Sequence, residues 1–468
     1  MSRPRPSPEG VKPDAGEPIG ARYAKTFAAD RASLPGQGVA WLAARREAGL
    51  AHFLETGFPT AKVEEWKFAN PGRLAQGTYR PAVGAVEVPP RLLALEPGAE
   101  GPFIAVVNGR VRADLSTIGA LPAGVTILSL DDAIRRLPDV VESHFGKPDD
   151  WVEKRLSGRT DKRPHALLAL NAAFCAGGVV VHVARGAAVG HPIRIRYIGI
   201  GHAEPSMVTP RSIIALDPNA EAAVIEEFVG TGAVWTNAVT EIAVGDGARL
   251  AHLRIQDDAR TATHVGSTRV KAGRDARYHG FVLAQGADMA RNEIRVALAG
   301  TGAECTLDGL YLGRGGQVLD NWTVVDHRVA QGTTRETYKG VLDQAARGNF
   351  QGRIRVWPEA VKSDARQLTR VILLSPLAEA KSKPELEILA DDVKCSHGAT
   401  VGDLDAAAMF FLQARGLDPA AARRLLVDAF TADVTQSIEN GALRAVADAA
   451  RERWLAGFDQ APLDPVTA

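Results

Sequence analysis

Cysteine is almost missing from this chain: three residues in 468, Cys175, Cys305 and Cys395, too few and too scattered for a disulfide framework. Any chemistry they do is thiol chemistry, which suits a reducing compartment. Net charge is missing too, with 55 Lys and Arg against 55 Asp and Glu. That balance argues against a nucleic-acid partner, which needs a basic excess to displace phosphate counterions. No apolar run approaches the roughly 18 to 20 residues that cross a bilayer, and the first residues lack the apolar segment of a secretory signal, so no membrane partner is expected and the cytoplasm is the expected location. What remains is ordinary for a globular protein, 46% hydrophobic and 24% charged, with length enough for two or three domains.

Residues 1–18 hold five prolines and no apolar periodicity, and read as a disordered tail. Residues 19–160 read as a mostly helical N-terminal domain. Val39, Leu42, Ala43, Arg46, Leu50 and Phe53 recur at helical spacing until Gly57-Phe58-Pro59. Phe103 to Val111 predicts a hairpin around Asn108-Gly109, and Leu130 to Phe145 one amphipathic helix after Asp131.

Residues 161–400 change character, with short runs rich in Val, Ile, Thr and aromatics broken by Gly-Asp-Gly, Gly-Thr-Gly and Asp-Pro-Asn turns. Within them lies a period. Ala220, Ala248, Ala276 and Ala303 each follow a strand and a turn, at steps of 28, 28 and 27 residues, and each opens a second strand. Two strands per repeat, stacked on the same strands of the next repeat, describe a parallel β-helix. A β-sandwich also uses strands and glycine turns, but its loops vary freely in length, so near-equal steps favour the solenoid. The predicted fold is mainly β, a parallel β-helix core flanked by helical domains.

Residues 401–468 return to helix. Asp405 is placed to cap one, Gly416 to end it, and Asp418-Pro419 to start the next; a third apolar face runs through Leu443, Val446, Ala447, Ala450 and Trp454. With 6 Arg against 10 Asp and Glu this end is acidic, a plausible docking surface that solvation explains equally well.

Enzyme signatures are lacking. Gly146-Lys147 is followed by Pro148, so no G-x-x-x-x-G-K-[ST] loop is present and the chain is not expected to bind a nucleotide itself. The G-x-G triplets at 230–232, 245–247 and 300–302 sit at strand ends, where turns explain them. Asp320, Asp326 and Asp364 are acid/base candidates for a β-helix enzyme acting on carbohydrate, the rival reading. The lone strand histidines His279 and His327 receive no role. The densest cluster is Asp391 to Thr400. On a strand, Cys395 and His397 project from one face about 7 Å apart, a soft thiolate and an imidazole suited to iron or zinc. Two donors are not a metal site. Spacing alone favours a buried cysteine beside a hydrogen-bonded core histidine.

Tyr338-Lys339-Gly340, Phe350-Gln351-Gly352, Ser363 to Gln367 leading to Leu373-Leu374-Ser375, Lys383 to Ile388, Asp391 to Thr400 and Met409 to Gly416 are long, ordered motifs. With Gly57-Phe58-Pro59-Thr60 and Glu64-Glu65-Trp66-Lys67, they resemble the SufD family, subunits of the SUF scaffold for iron–sulfur cluster assembly. The resemblance implies a right-handed parallel β-helix between helical domains and a non-enzymatic scaffold. It implies a heterodimer with SufB through the β-helices and docking of the C-terminal helices on the ATPase SufC, a homodimer being the alternative in isolation. The paralogous SufB carries a cysteine shortly after the Asp-Ala-Arg motif, whereas Leu368 to Ile372 here hold no sulfur, which favours the D subunit. It further implies that His397, the histidine of the Cys-Ser-His-Gly-Ala-Thr motif, serves a transient iron–sulfur cluster shared with SufB; for Cys395 the implication is weaker. Phe68, where the family often has Tyr, and the proline-rich start are the departures.

Overall fold

The computed structural model describes residues 19–457 apart from 70, 78, 83–85, 96–99, 155–159 and 203–204. The tail expected at 1–18 lies outside the described residues. The chain is mainly β, 41% strand against 27% helix, and winds into a parallel solenoid of about eight turns. Strands alternate between two sheets, so each pairs with the strand two along. One sheet runs from Val179–Val183 through Arg211–Leu216, Val234–Val244, Thr263–Ala272, Met289–Leu298, Val318–His327 and Arg347–Val356 to Glu379–Ile388. The other runs from Phe103–Val107 through Ile193–Ile200, Glu221–Thr231, Arg249–Asp257, Arg277–Ala284, Glu304–Gly313, Thr333–Leu342 and Asp364–Leu373 to Lys394–Gly402.

The alanine period has a physical cause at the corner before each alanine. Asn219, Gly247, Asp275, Gly302, Gln331 and Lys362 all have positive φ, the left-handed conformation that turns the chain between sheets. Each donates its backbone N–H to a carbonyl of the next coil, as Asn219 does to Asp246 and Gly247 to Arg274, at 2.8 and 2.7 Å. The alanine that follows is sealed inside: Ala220, Ala248, Ala276 and Ala303 are fully buried. From Gln331 onward the coils lengthen and Gly332 and Ser363 take the alanine's place, which is why the period loosens there.

Three cores follow from the two faces of two sheets. Inward residues such as Ile195, Ile214, Val224, Ile242, Val270, Val296 and Leu307 fill the solenoid. The N-terminal helices Ile19–Asp30, Ala40–Thr56 and Ala166–Phe174 cover the outer face of the first sheet, packing Trp66, Leu167 and Phe174 on Trp235 and Val265. The C-terminal helices Pro419–Thr435 and Gly441–Ala456 cover the second, packing Val427, Val434, Val446 and Trp454 on Ile225, Leu253, Leu283 and Leu310. Burial on both faces is why the strands read as continuous apolar runs instead of alternating ones.

The hairpin at Asn108-Gly109 forms, Val107 opposite Arg110. The single helix expected over Leu130 to Phe145 is two, Leu130–Arg136 and Pro138–His144, because Pro138 lacks the N–H needed to continue. Its cap is Ser129, which accepts from the Asp132 N–H, not Asp131. The N-terminal region also carries Phe103–Val107 and Val125–Ser129, which join the solenoid sheets. Asp405 and Asp418 cap Ala406–Gln413 and Pro419–Thr435 as expected, and Gly416 has a φ of +92°.

Candidate site at the open end of the solenoid

The two ends of the solenoid differ. At the first, antiparallel strands close both sheets: Val125–Ser129 on Val179–Val183, and Arg110–Val111 on Phe103–Val107. At the other, Glu379–Ile388 and Lys394–Gly402 are each paired on one side only among the described residues. Their inward side chains are therefore left uncovered along the axis. Ile388, in register with the buried Val356, and Val401, in register with the buried Val371, are exposed large hydrophobics.

Cys395 and His397 both belong to this last strand and, two residues apart, share its inward face. Cys395 lies in register with Ala365 and packs against Ile354, Val356 and Ala360, half-buried, its thiol pushed up by burial. His397 continues an inward column that runs through Val224, His252, Gly280, Leu307, Glu336 and Gln367. Its predecessors are sealed by the next coil, whereas His397 is exposed because no coil lies beyond it. The remaining inward residues of the strand, Ala399 and Val401, offer no donor, and among the described residues no group of three His, Cys, Asp or Glu side chains converges. The structure places the two expected residues on one face and, among the described residues, adds no third metal-ligating side chain.

What sequence reasoning missed lies beneath the histidine. The Gln367 side-chain N–H donates to Glu336 at 2.5 Å, and one oxygen of each side chain is buried without a partner. Gly352 makes room for that amide; a Cβ there would meet it at 2.2 Å. Burial pushes the Glu336 carboxyl up to about 7. The signal was available, since 336, 367 and 397 stand at steps of 31 and 30 residues, the period of the outer coils.

The other candidates separate from this end. Cys175 and Cys305 are buried and their thiols pushed up by burial, which leaves them unreactive. His327 is bonded to Ser363 and Thr334 at 3.1 and 2.8 Å and held down to about 4 by burial, so it is a neutral packing residue. The carboxylates of the rival reading do not converge. Asp320 is ion-paired with Arg291 under the N-terminal region, Asp326 with Arg355 at 3.3 Å, and Asp364 with Arg335 at 2.9 Å. Asp320 and Asp326 sit six residues apart on one strand, about 20 Å, well beyond the 5 to 9.5 Å of a glycosidase pair. Among the described residues no helix is long and apolar enough to cross a membrane.

Comparison with known proteins bears on the same end. Residues 199–430 match the SufBD core domain of the SUF system for FeS cluster assembly, and residues 18–195 match the SufBD protein N-terminal region. An iron–sulfur cluster assembly SufBD family protein of Synechocystis is 28% identical, covering 82% of this chain and 85% of its own length. The iron–sulfur cluster assembly protein SufD of Escherichia coli is 27% identical over 84% of this chain and 89% of its own, and the SufD of Bacillus subtilis 26% identical over 67% and 70%. The two matched regions together run through the N-terminal cover, the solenoid and the first part of the C-terminal helices, and the chain belongs to the SufBD family of iron–sulfur cluster assembly proteins.

Proposed function

We propose that the chain is a non-catalytic scaffold subunit that completes a cluster-building site only when its open solenoid end meets a partner subunit. The observation that carries this reading is the placing of His397: an inward position left uncovered at a coil with no successor. Unpaired strand edges and a bared interior cost free energy in water, and a second solenoid end supplies both missing edges and missing cover. The family resemblance names SufB as that partner.

A nascent iron–sulfur cluster is the cargo, held transiently between the two subunits. The His397 imidazole supplies a borderline donor suited to iron, and the partner supplies the rest of a four-donor set. Cys395 is the weaker ligand. Its sulfur is turned into the Ile354–Val356 packing, and ligation needs a thiolate that burial disfavours. The C-terminal helices dock the ATPase SufC. Phe410 and Phe411 stand exposed on Ala406–Gln413, at 73% and 53%, an apolar pair that solvent alone does not explain. This chain contributes no nucleotide site of its own to that cycle.

Changing His397→Ala in the complex reconstituted with SufB and SufC should leave the melting transition of the isolated chain in place and lower the cluster yield in the anaerobic absorption spectrum. Wild-type yield from the variant complex would refute the role.

A further inference from the structure

The N-terminal segment around Ser143 to Lys154 and the outer face of the first sheet enclose an open cleft of about 670 Å³. Its floor is cationic. Arg269 and Arg295 stand side by side in register, and Arg355 pairs in register with Asp326. One buried carboxylate, Glu153, serves Arg295, Arg355 and His165, the latter two at 3.2 Å. Arg269 has none. Its guanidinium donates to the Nδ1 of His165 at 3.0 Å, and His165 is held down to about 4 by burial and the Arg269 charge, so its ring is neutral. A part-buried guanidinium with no carboxylate in contact is left with donors and charge to offer an anion in the cleft.

Two further features point to the same missing group. The Trp357 indole N–H and the Arg295 Nε are buried donors without acceptors among the described residues, and both residues line the cleft. Of the acids on its wall, Asp326 is paired with Arg355, Glu241 with Arg211, and Asp150 accepts the Lys147 backbone N–H. Asp149, Asp150 and Glu359 remain without a cation in contact, against Arg269, Lys147, Lys154, Lys271 and Arg328, none of which has a carboxylate in ion-pair contact among the described residues.

We propose that this cleft binds a small phosphate-bearing anion, free or as a phosphate ester, with Arg269 as its central donor. A tetrahedral oxyanion supplies both things the cleft lacks, negative charge and several acceptor oxygens around one centre, and it matches the planar guanidinium fork. A neutral ligand would leave Arg269 without an ion pair in contact. None of these residues belongs to the open solenoid end, so the ligand here is a separate matter from cluster assembly.

Calorimetric titration of the full chain with pyrophosphate and with glycerol 3-phosphate, at low and constant ionic strength, tests the site. Saturable binding of either is expected, the stronger of the two telling a free diphosphate from an ester. The exposed-residue double variant Lys271→Glu/Arg328→Glu and the variant Arg269→Gln should each weaken it by about tenfold, the order of one or two charge-assisted contacts. No saturable heat with either probe, or undiminished affinity in the double variant with its circular dichroism intact, would overturn the proposal.

Discussion

Two glutamates inside one solenoid show how local partners decide charge. Glu226 accepts from Tyr197, Thr240 and His252 at 2.8, 2.9 and 3.0 Å, and although burial pushes its carboxyl up, the His252 hydrogen bond and charge and the Arg254 charge bring it down to about 2. Glu336 is buried with neutral partners, chiefly the Gln367 amide, and burial lifts it to about 7. A carboxyl whose folded pKa lies above its unfolded value holds its proton longer in the folded state. Its contribution to stability is complete below about pH 4.5 and is lost as pH rises through about 7. Wild-type chain should therefore lose on the order of 3 kcal/mol from this group between pH 5 and 8, and Glu336→Gln should remove that slope. Urea unfolding at a series of pH values reads the difference; parallel curves for the two chains would contradict it.

At the scale of elements, the C-terminal helices seal a sheet with two of their number and, on the proposed reading, dock by an exposed pair on the third. Pro419–Thr435 and Gly441–Ala456 seal the outer face of the second sheet, where Ile225, Leu253 and Leu283 are fully buried beneath them. Cutting the chain near residue 401 would uncover that patch and unsettle the solenoid, so a truncation cannot isolate a docking function. Phe410→Asp with Phe411→Asp does so, because both rings already face solvent. The pair should abolish retention of the ATPase on an affinity column while the melting temperature shifts by a few degrees or less. The reason this division escaped the sequence is that a helix's apolar stripe announces burial without saying against what. The alanine steps, by contrast, were legible because a corner in left-handed conformation and a sealed methyl recur once per coil. Pro138 was equally visible, and its break was overlooked because apolar periodicity resumes after it in phase. The pairing of Cys395 with His397 was readable from period two; the bare end that exposes them was not, since nothing in a local window tells the last coil from any other.

At the scale of the whole molecule, the expectation is a pair. Coexpressed with SufB and analysed by native mass spectrometry, the chain should appear as a heterodimer, with a homodimer only in the partner's absence. A homodimer that persists in equimolar SufB would contradict this pairing. The interior column that runs to His397 ends at the tip of the rod, and on the proposed reading that tip, rather than the flank, is where subunits join. Since the far end finishes in antiparallel edge strands of only 5 and 2 residues, poor templates for further parallel stacking, such molecules have one growing tip each. Two tips that meet consume each other, so association halts at a finite particle, and a fold that shares its stacking logic with amyloid is kept from polymerising into fibres.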